Sequence, residues 1–246
     1  ETGGEALKLP FPLVDLSTGL YAGNAILMAL LERGRSGRGQ HIDVALYDVA
    51  LTMTHPLSNA WQWNGQVPAP TGNFYAALAP YGVYRCADRD IFIGVGNNGA
   101  FRKLAALLGH PELATDDRFA TNRLRVANRT ALNAVLDPAI ARWNGEDLAQ
   151  MLMQGGVAAG CVQDMGQAFT HPHTLASGMW VEAPGGGGKR VIPSPLKLNR
   201  TPPQVERGAP PFAADTDEIL RAAGYDPEAI AALERAGAVV RQRVKG

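Results

Sequence analysis

Residues 15–47 read DLSTGLYAGNAILMALLERGRSGRGQHIDVALY, and they determine the fold class that we expect. Apolar side chains recur at helical spacing over residues 20–31, which predicts a buried or half-buried helix. Ser17 or Thr18 is the expected N-cap of this helix, because short hydroxyl side chains satisfy the first free backbone N–H groups. The three glycines within residues 34–39 are expected to end it.

The sequence after this helix predicts a strand and then a second helix. Residues 41–46 alternate polar with apolar side chains, which is the period of a half-buried strand. A helical pattern follows over about residues 47–59. Because a helix, a turn, a strand and a helix follow one another, we expect an α/β layer, with residues 1–60 forming part of a large α/β domain.

The middle of the chain, residues 61–155, predicts a separate small α+β domain. Residues 61–80 are rich in Trp, Asn, Gly and Pro, as long functional loops often are. Residues 81–86 and 91–95 flank a polar turn and predict a hairpin. Helical patterns follow over about residues 100–108, 122–143 and 146–154.

The last segment, residues 156–246, is expected to return to the large domain. Residues 157–162 predict a strand. The segment also predicts a hairpin (residues 179–182 with 190–192), a proline-rich extended stretch (193–211) and two closing helices (216–223 and 227–236).

The composition of the 246 residues argues against several classes of protein. Hydrophobic residues make up 46% and charged residues 19%, which is typical of a globular protein. Lys+Arg and Asp+Glu both count 23, and this balance argues against a nucleic-acid partner. No uninterrupted apolar run reaches the ~18 residues of a membrane span, so no membrane partner is expected. Two widely spaced cysteines favour the reducing cytoplasm.

Two motifs resemble ligand-binding sites, and for both we favour a purely structural role. Residues 94–99 read GVGNNG, a G-x-G-x-x-G pattern that can cradle a dinucleotide pyrophosphate. No parallel strand is predicted after the following helix, so we favour a hairpin strand that turns into a helix. His171 and His173 flank a proline, and we expect a turn and no metal site, because no carboxylate or cysteine partner stands nearby.

Asp15 has two possible roles that the local sequence leaves open. A carboxylate at a helix start is stabilised by the positive end of the helix dipole, so Asp15 can be an ordinary helix-start residue. It can also be a carboxylate nucleophile that a rigid element aims at a substrate.

Several motifs in one order resemble the family III CoA-transferases, the superfamily of the formyl-CoA and the carnitine and dicarboxylate CoA-transferases. The matching stretches are VDLSTGLY (14–21), LLER (30–33), SGRGQHIDV (36–44), APYGVY (79–84), GHPEL (109–113) and SPLKL (194–198). The resemblance extends from about residue 12 to residue 240.

The resemblance implies a fold that this chain contains only in part. Family members resemble interlocked homodimers, with a Rossmann-like large domain built from both chain ends and a small domain from the middle. They begin with a substantial N-terminal portion that carries most of the CoA contacts. We therefore expect a homodimer or a companion N-terminal chain, and poor CoA binding by this chain alone.

The resemblance also implies an activity, the transfer of CoA from an acyl-CoA to a small carboxylic acid. The family's nucleophilic aspartate falls on Asp15, which would form a mixed anhydride and then an aspartyl-CoA thioester. Leu46 matches a position that contacts CoA. A substrate-binding loop that shields the anhydride matches Gly72, Asn73, Tyr75 and Ala76. CoA would be a substrate, and no permanently bound cofactor or metal is expected.

Two alternatives stay open beside CoA transfer. The same superfamily contains α-methylacyl-CoA racemases, although the DLSTGL pattern at residues 15–20 favours transfer. The chain could also be a non-catalytic subunit or a fragment of a split CoA-transferase.

Overall fold

The computed structural model describes Gly4 and residues 7–242, so the outermost residues of the first and third predicted segments (1–3, 5–6 and 243–246) lie outside the described residues. The chain divides into two compact units, Glu1–Val162 and Gln163–Gly246. That residues 1–60 and 156–246 belong to one large domain stays a prediction.

The first unit begins with three helices and continues with a small sheet surrounded by helices. Its elements are α1 (Leu13–Ser36), α2 (Leu46–Thr52), α3 (Leu57–Asn64), β1 (Tyr81–Arg85), β2 (Asp90–Gly94), α4 (Asn98–Leu107), a 3₁₀ turn (Pro111–Ala114), α5 (Asn122–Ala127), α6 (Arg129–Ala141), α7 (Gly145–Gln154) and β3 (Ala158–Cys161). The predicted hairpin and the helices of residues 100–154 are confirmed, with the helix over 122–143 divided in two at Asn128.

The first helix begins earlier than its sequence pattern predicts. Pro12 occupies the N-cap position without a side-chain cap, and Asp15 lies in the first turn. The prediction that Ser17 or Thr18 caps this helix is therefore wrong. The Thr18 hydroxyl donates to the Val14 carbonyl oxygen at 2.8 Å, a bond made one turn back inside a helix.

The length and composition of α1 would allow this helix to cross a membrane. The core helix of a soluble protein can have the same length and composition. The absence of a membrane partner therefore stays a prediction.

The predicted strand at residues 41–46 is wrong. Residues 37–45 form no regular secondary structure, and Leu46 begins α2. The polar-apolar alternation nevertheless persists, because Ile42 and Val44 are half-buried while His41 and Asp43 are exposed. A strand requires a hydrogen-bonded neighbour, and no described strand pairs with these residues.

The sheet of the first unit is antiparallel, with strand order β1-β2-β3. Val83 pairs with Phe92, and Phe92 pairs with Gly160. The strand predicted at residues 157–162 is thereby confirmed. This strand, β3, pairs with β2 and forms one edge of the sheet.

One hydrophobic core lies between this sheet and α4–α7. Ile91 and Ile93 alternate with half-buried residues along β2, so both point to the same face, and both are 0% exposed. Leu104, Leu136 and Leu152 meet them from three different helices. Each such side chain contributes about 1.5–3 kcal/mol through burial.

The second unit consists of short helices and a two-stranded hairpin. Its elements are α8 (Met165–Thr170), α9 (Pro172–Ala176), β4 (Val181–Glu182), β5 (Arg190–Val191), α10 (Thr216–Ala222) and α11 (Pro227–Arg235). The hairpin and the two closing helices are confirmed. The helices α8 and α9 are additional, and a capping box of Asp164 with Gln167 begins α8.

Candidate functional site

Asp15 lies in the first turn of α1, the 24-residue helix that is the longest in the described part of the chain. Its side chain is exposed. Its carboxylate has no hydrogen-bond or ion-pair partner among residues 7–242. The structure thus presents Asp15 as an accessible carboxylate whose lone pairs are not occupied by any donor of the described residues.

Leu46 is the first residue of α2, which packs against α1. It is 51% exposed, so its apolar side chain remains available for a ligand or for another polypeptide. Its assignment as a CoA contact stays a prediction.

Two of the four predicted loop residues line one small cleft. Tyr75 and Ala76, with Thr71, Phe74, Val126 and Arg129, enclose about 210 Å³. Gly72 and Asn73 are exposed and lie in the turn that leads into the loop. Gly72 has a φ of +63°, which favours glycine, and the Asn73 carbonyl accepts from the Val83 N–H at 3.2 Å. Neither Asp15 nor Leu46 lines this cleft.

Three side chains of α5 and α6 donate hydrogen bonds to the backbone of residues 75–79. Arg129 Nη2 donates to the carbonyl oxygens of Tyr75 (2.8 Å), Ala76 (3.3 Å) and Leu78 (2.9 Å). Asn122 donates to the Ala77 carbonyl at 2.8 Å and accepts from the Ala79 N–H at 3.1 Å. Arg125 Nε donates to the Ala79 carbonyl at 2.7 Å. We call residues 75–79 the strap and these three side chains the clamp.

The Arg125 guanidinium is a buried cation, and none of its hydrogen-bond partners is a carboxylate. Besides the Ala79 carbonyl it binds the Phe119 carbonyl at 3.0 Å and Asn98 Oδ1 at 3.0 Å, and it lies 4.4 Å from the centre of the Phe101 ring. Burial lowers the pKa of Arg125 from its usual value. The neutral acceptors and the aromatic face together compensate the buried charge.

The G-x-G-x-x-G motif of residues 94–99 has the structural role that we favoured. Gly94 ends β2, a strand with antiparallel neighbours on both sides, and the Asn97 side chain caps α4 by accepting from the Ala100 N–H at 2.9 Å. A dinucleotide site requires a parallel βαβ unit with a free helix N-terminus. Neither condition is met here.

The model of CoA-transferase family III matches residues 1–216. The chain belongs to CoA-transferase family III. A succinate–glutarate CoA-transferase of Agrobacterium fabrum is 33% identical to it over 223 residues, covering 89% of this chain and 56% of the relative. An acetyl-CoA:oxalate CoA-transferase of Acetobacter aceti is 33% identical over 217 residues, covering 88% of this chain and 55% of the relative.

A crystal structure shares the fold of this family III chain. A CaiB/BaiF family protein from Brucella suis matches it with a TM-score of 0.74 at 34% identity, covering 90% of this chain and 58% of that chain. The chain therefore spans about half the length of the curated relatives it matches.

Cys86, His171 and His173 are other side chains that could act as a nucleophile or as metal ligands. Burial, aided by the nearby Asp88 charge, raises the pKa of the Cys86 thiol to about 11, so little thiolate forms at neutral pH. His171 Nδ1 accepts from the His173 N–H at 3.1 Å at the start of α9. Within the described residues, no three His, Cys, Asp or Glu side chains come together as a metal site would require.

The clamp residues are candidates that the sequence did not reveal. Asn122, Arg125 and Arg129 have the spacing i, i+3, i+7, which resembles the solvated polar stripe of a surface helix. The signal that could have indicated them is the thirteen-residue stretch 66–78, which predicts no helix or strand of its own. A loop that does not pair with a neighbouring strand needs side-chain partners for its buried carbonyl groups.

Proposed function

We propose that the protein containing this chain transfers CoA between an acyl-CoA and a small carboxylic acid, with Asp15 as the covalent nucleophile. The observation that carries this proposal is the position of Asp15 within the matched family region. Its carboxylate is exposed at the N-terminal end of a long helix and has no partner in the described chain.

The chemistry requires two exchanges at this carboxylate. An Asp15 oxygen attacks the thioester carbonyl carbon, the C–S bond breaks, and CoA leaves as the thiolate while a mixed anhydride forms. The thiolate then attacks the Asp15 acyl carbon, which releases the donor carboxylate and leaves an aspartyl-CoA thioester. Covalent catalysis divides one difficult exchange into easier steps.

The second half of the reaction reverses these steps with the acceptor. The acceptor carboxylate attacks the aspartyl thioester and expels the CoA thiolate, which forms a second mixed anhydride. The thiolate then attacks the acceptor's acyl carbon, so that the new acyl-CoA leaves and the Asp15 carboxylate is restored. No cofactor is consumed, because CoA is the group that is transferred.

We propose a small dicarboxylic acid as the partner substrate. The two relatives described above carry names that specify succinate and glutarate in one case and oxalate in the other.

We further propose that a preceding N-terminal portion or a companion chain completes a Rossmann-like large domain, within an interlocked homodimer. Two observations support this proposal. The helices α1–α3 expose apolar side chains such as Leu20 (72%) and Trp63 (90%), and residues 41–45 alternate like a strand that lacks its neighbour. A cytoplasmic location remains our expectation from the two free cysteines.

The test of the function is the loss of the Asp15 carboxylate in the complete enzyme. We expect Asp15→Ala and Asp15→Asn to lower CoA transfer by about 10³-fold or more, because removal of a nucleophile abolishes the covalent route. Asp147→Ala is the matched control, since Asp147 is also an exposed aspartate in the first turn of a helix. Transfer that survives in both Asp15 variants would contradict the assignment, and α-proton exchange without transfer would indicate the racemase alternative.

A further inference from the structure

The helices α9 and α11 of the second unit begin in the same way except for the residue that caps them. In each helix a proline occupies the first position, and the side chain before it accepts a backbone hydrogen bond. The cap of α11 is Asp226, whose carboxylate accepts from the Ala229 N–H at 2.8 Å. The cap of α9 is His171, whose Nδ1 accepts from the His173 N–H at 3.1 Å. The two helix starts therefore differ in the chemistry of the acceptor.

The imidazole cap of α9 differs from every other side-chain cap in the described residues. The other capping side chains are amides, a hydroxyl and carboxylates: Asn97, Thr121, Asn144, Asp164 and Asp226. Amides and hydroxyls keep their acceptors at all ordinary pH values, and an aspartate stays ionised well above about pH 3.9. Among side chains with ordinary pKa values, only histidine changes its charge between pH 5 and pH 8.

The cap that His171 provides requires the neutral imidazole. A backbone N–H can donate only to a ring nitrogen that carries a lone pair, so Nδ1 is unprotonated when it caps α9. An imidazolium carries a hydrogen on both ring nitrogens and offers no acceptor. The His173 N–H is the first backbone donor of α9, because Pro172 has none, and protonation of the ring removes its acceptor.

Protonation would also place a positive charge between two helix ends that respond to it in opposite ways. His171 follows the last residue of α8 and precedes the first residue of α9. A cation is repelled by the free N–H groups at a helix start and attracted by the free C=O groups at a helix end. The imidazolium therefore favours the end of α8, while the start of α9 loses its cap.

No described carboxylate holds this imidazole in its charged form. The charged or titratable side chains on α8 and α9, or bound to them, are His173, Asp164 and Lys197. Asp164 caps the start of α8, and Lys197 Nζ donates to the Ser177 carbonyl at 3.0 Å, beyond the opposite end of α9. Among the residues that the structure describes, none of these groups forms an ion pair with His171.

Hydrogen bonds connect the start of α9 to a cavity wall of the second unit. The His173 carbonyl accepts from the Ser177 N–H at 2.8 Å, and the Leu175 carbonyl accepts from the Gly178 N–H at 3.1 Å. Gly178 lines a cavity of about 660 Å³, together with β4 and part of the proline-rich stretch. Loosening of α9 therefore loosens one edge of this cavity.

We propose that His171 is a pH-sensitive helix cap. The neutral imidazole holds the start of α9, and its protonation releases this start and loosens the cavity edge at Gly178. The cap contributes to stability above about pH 6.5, the ordinary midpoint of an imidazole titration, and this contribution is lost as the pH falls below that value. The effect is local, because the aspartate cap of α11 keeps its acceptor over the same pH range.

The variants are chosen to fix the acceptor or to remove it. His171→Asn and His171→Asp each provide a capping oxygen that does not titrate between about pH 5.5 and pH 7.5. His171→Ala removes the acceptor at every pH. His173→Asn is the matched control, because His173 is an exposed histidine of the same helix whose side chain does not cap it.

Hydrogen exchange of the complete enzyme measures the cap directly. The exchange rates of residues 172–178 would be determined at about pH 7.5 and about pH 5.5 and divided by those of an unstructured peptide of the same sequence at the same pH. We expect protection to fall about fivefold or more on acidification in the unsubstituted enzyme, as expected for a lost cap, and equally in His173→Asn. We expect no fall in His171→Asn and His171→Asp, low protection at both pH values in His171→Ala, and unchanged protection of α11 throughout.

Four results would overturn the proposal. Protection of residues 172–178 could be equal at both pH values in the unsubstituted enzyme, or it could stay high in His171→Ala at the higher pH. The fall on acidification could persist in His171→Asn and His171→Asp, or disappear in His173→Asn, and a group other than His171 would then be responsible. A fall of equal size in α11 would show that acid loosens the second unit in general and that the imidazole cap has no local effect.

Discussion

The small sheet with α4–α7 and the three N-terminal helices use similar apolar side chains in opposite ways. Ile91, Ile93 and Leu104 are 0% exposed in the first region, whereas Leu27 and Leu31 of α1 are 61% and 70% exposed. The first region encloses its own core. The second presents an apolar surface without a cover in the described chain, as expected of a domain whose remaining part is another stretch of polypeptide.

The largest difference is expected between two leucines on helices. Leu136 in α6 is 0% exposed, so Leu136→Ala should lower the free energy of unfolding by about 2–5 kcal/mol. Leu27→Ala in α1 should change it by less than about 0.5 kcal/mol in this chain. Urea denaturation of both variants measures the two effects.

The same leucine pair sharpens the comparison when the complete enzyme is used. If the N-terminal portion covers α1, the cost of Leu27→Ala should rise toward that of Leu136→Ala. An equal, small cost of Leu27→Ala in the chain and in the complete enzyme would contradict the proposed cover.

Two glycines give a smaller contrast of opposite sign. A Cβ on Gly82 in β1 would lie 2.6 Å from the Asn73 carbonyl oxygen and closer still to the Phe74 ring, so Gly82→Ala should destabilise the chain by about 1–3 kcal/mol. A Cβ on Gly23 in α1 meets nothing within 4 Å, so Gly23→Ala should stabilise the helix by about 0.5–1 kcal/mol. Thermal unfolding measures both changes, and destabilisation by Gly23→Ala would show that the surface of α1 is already covered.

The smallest effect concerns stability in acid, and it involves the turn between β1 and β2. The Gly145 N–H, which donates to Asp88 at 2.8 Å, and the Arg89 side chain hold the pKa of the Asp88 carboxyl below its usual value. A lowered pKa means that Asp88 stabilises the fold above its unfolded pKa of about 3.9 and loses this contribution as the pH falls through its folded pKa. We expect the melting temperature to fall less steeply below about pH 4 in Asp88→Asn than in the unsubstituted chain. Parallel curves would contradict this assignment.

The sequence predicted those elements whose burial partners lie within the chain. The alternation of residues 91–95 and the helical spacing over 146–154 were sufficient, because local pattern and tertiary environment agree there. Residues 41–46 carry an equally clear alternation and form no strand. No described strand supplies the hydrogen-bonded neighbour that a strand there would require.

The candidate site was predictable only where a motif marks it. Asp15 and the loop of Tyr75 and Ala76 followed from the family resemblance. Arg125 and Arg129 did not, because an arginine at helical spacing usually marks a solvated face. The strap lies 43 to 54 residues away from Asn122 and Arg129 in sequence, so only the tertiary structure brings them together.

The most direct measurement of the central claim is a covalent trap at Asp15. The complete enzyme would be incubated with an acyl-CoA and hydroxylamine, which cleaves the aspartyl-CoA thioester and leaves a hydroxamate on the aspartate. Peptide mass spectrometry should then place the hydroxamate on Asp15, and none should form without the acyl-CoA. A hydroxamate on a different residue, or an unmodified Asp15 in an enzyme that transfers CoA normally, would contradict the account.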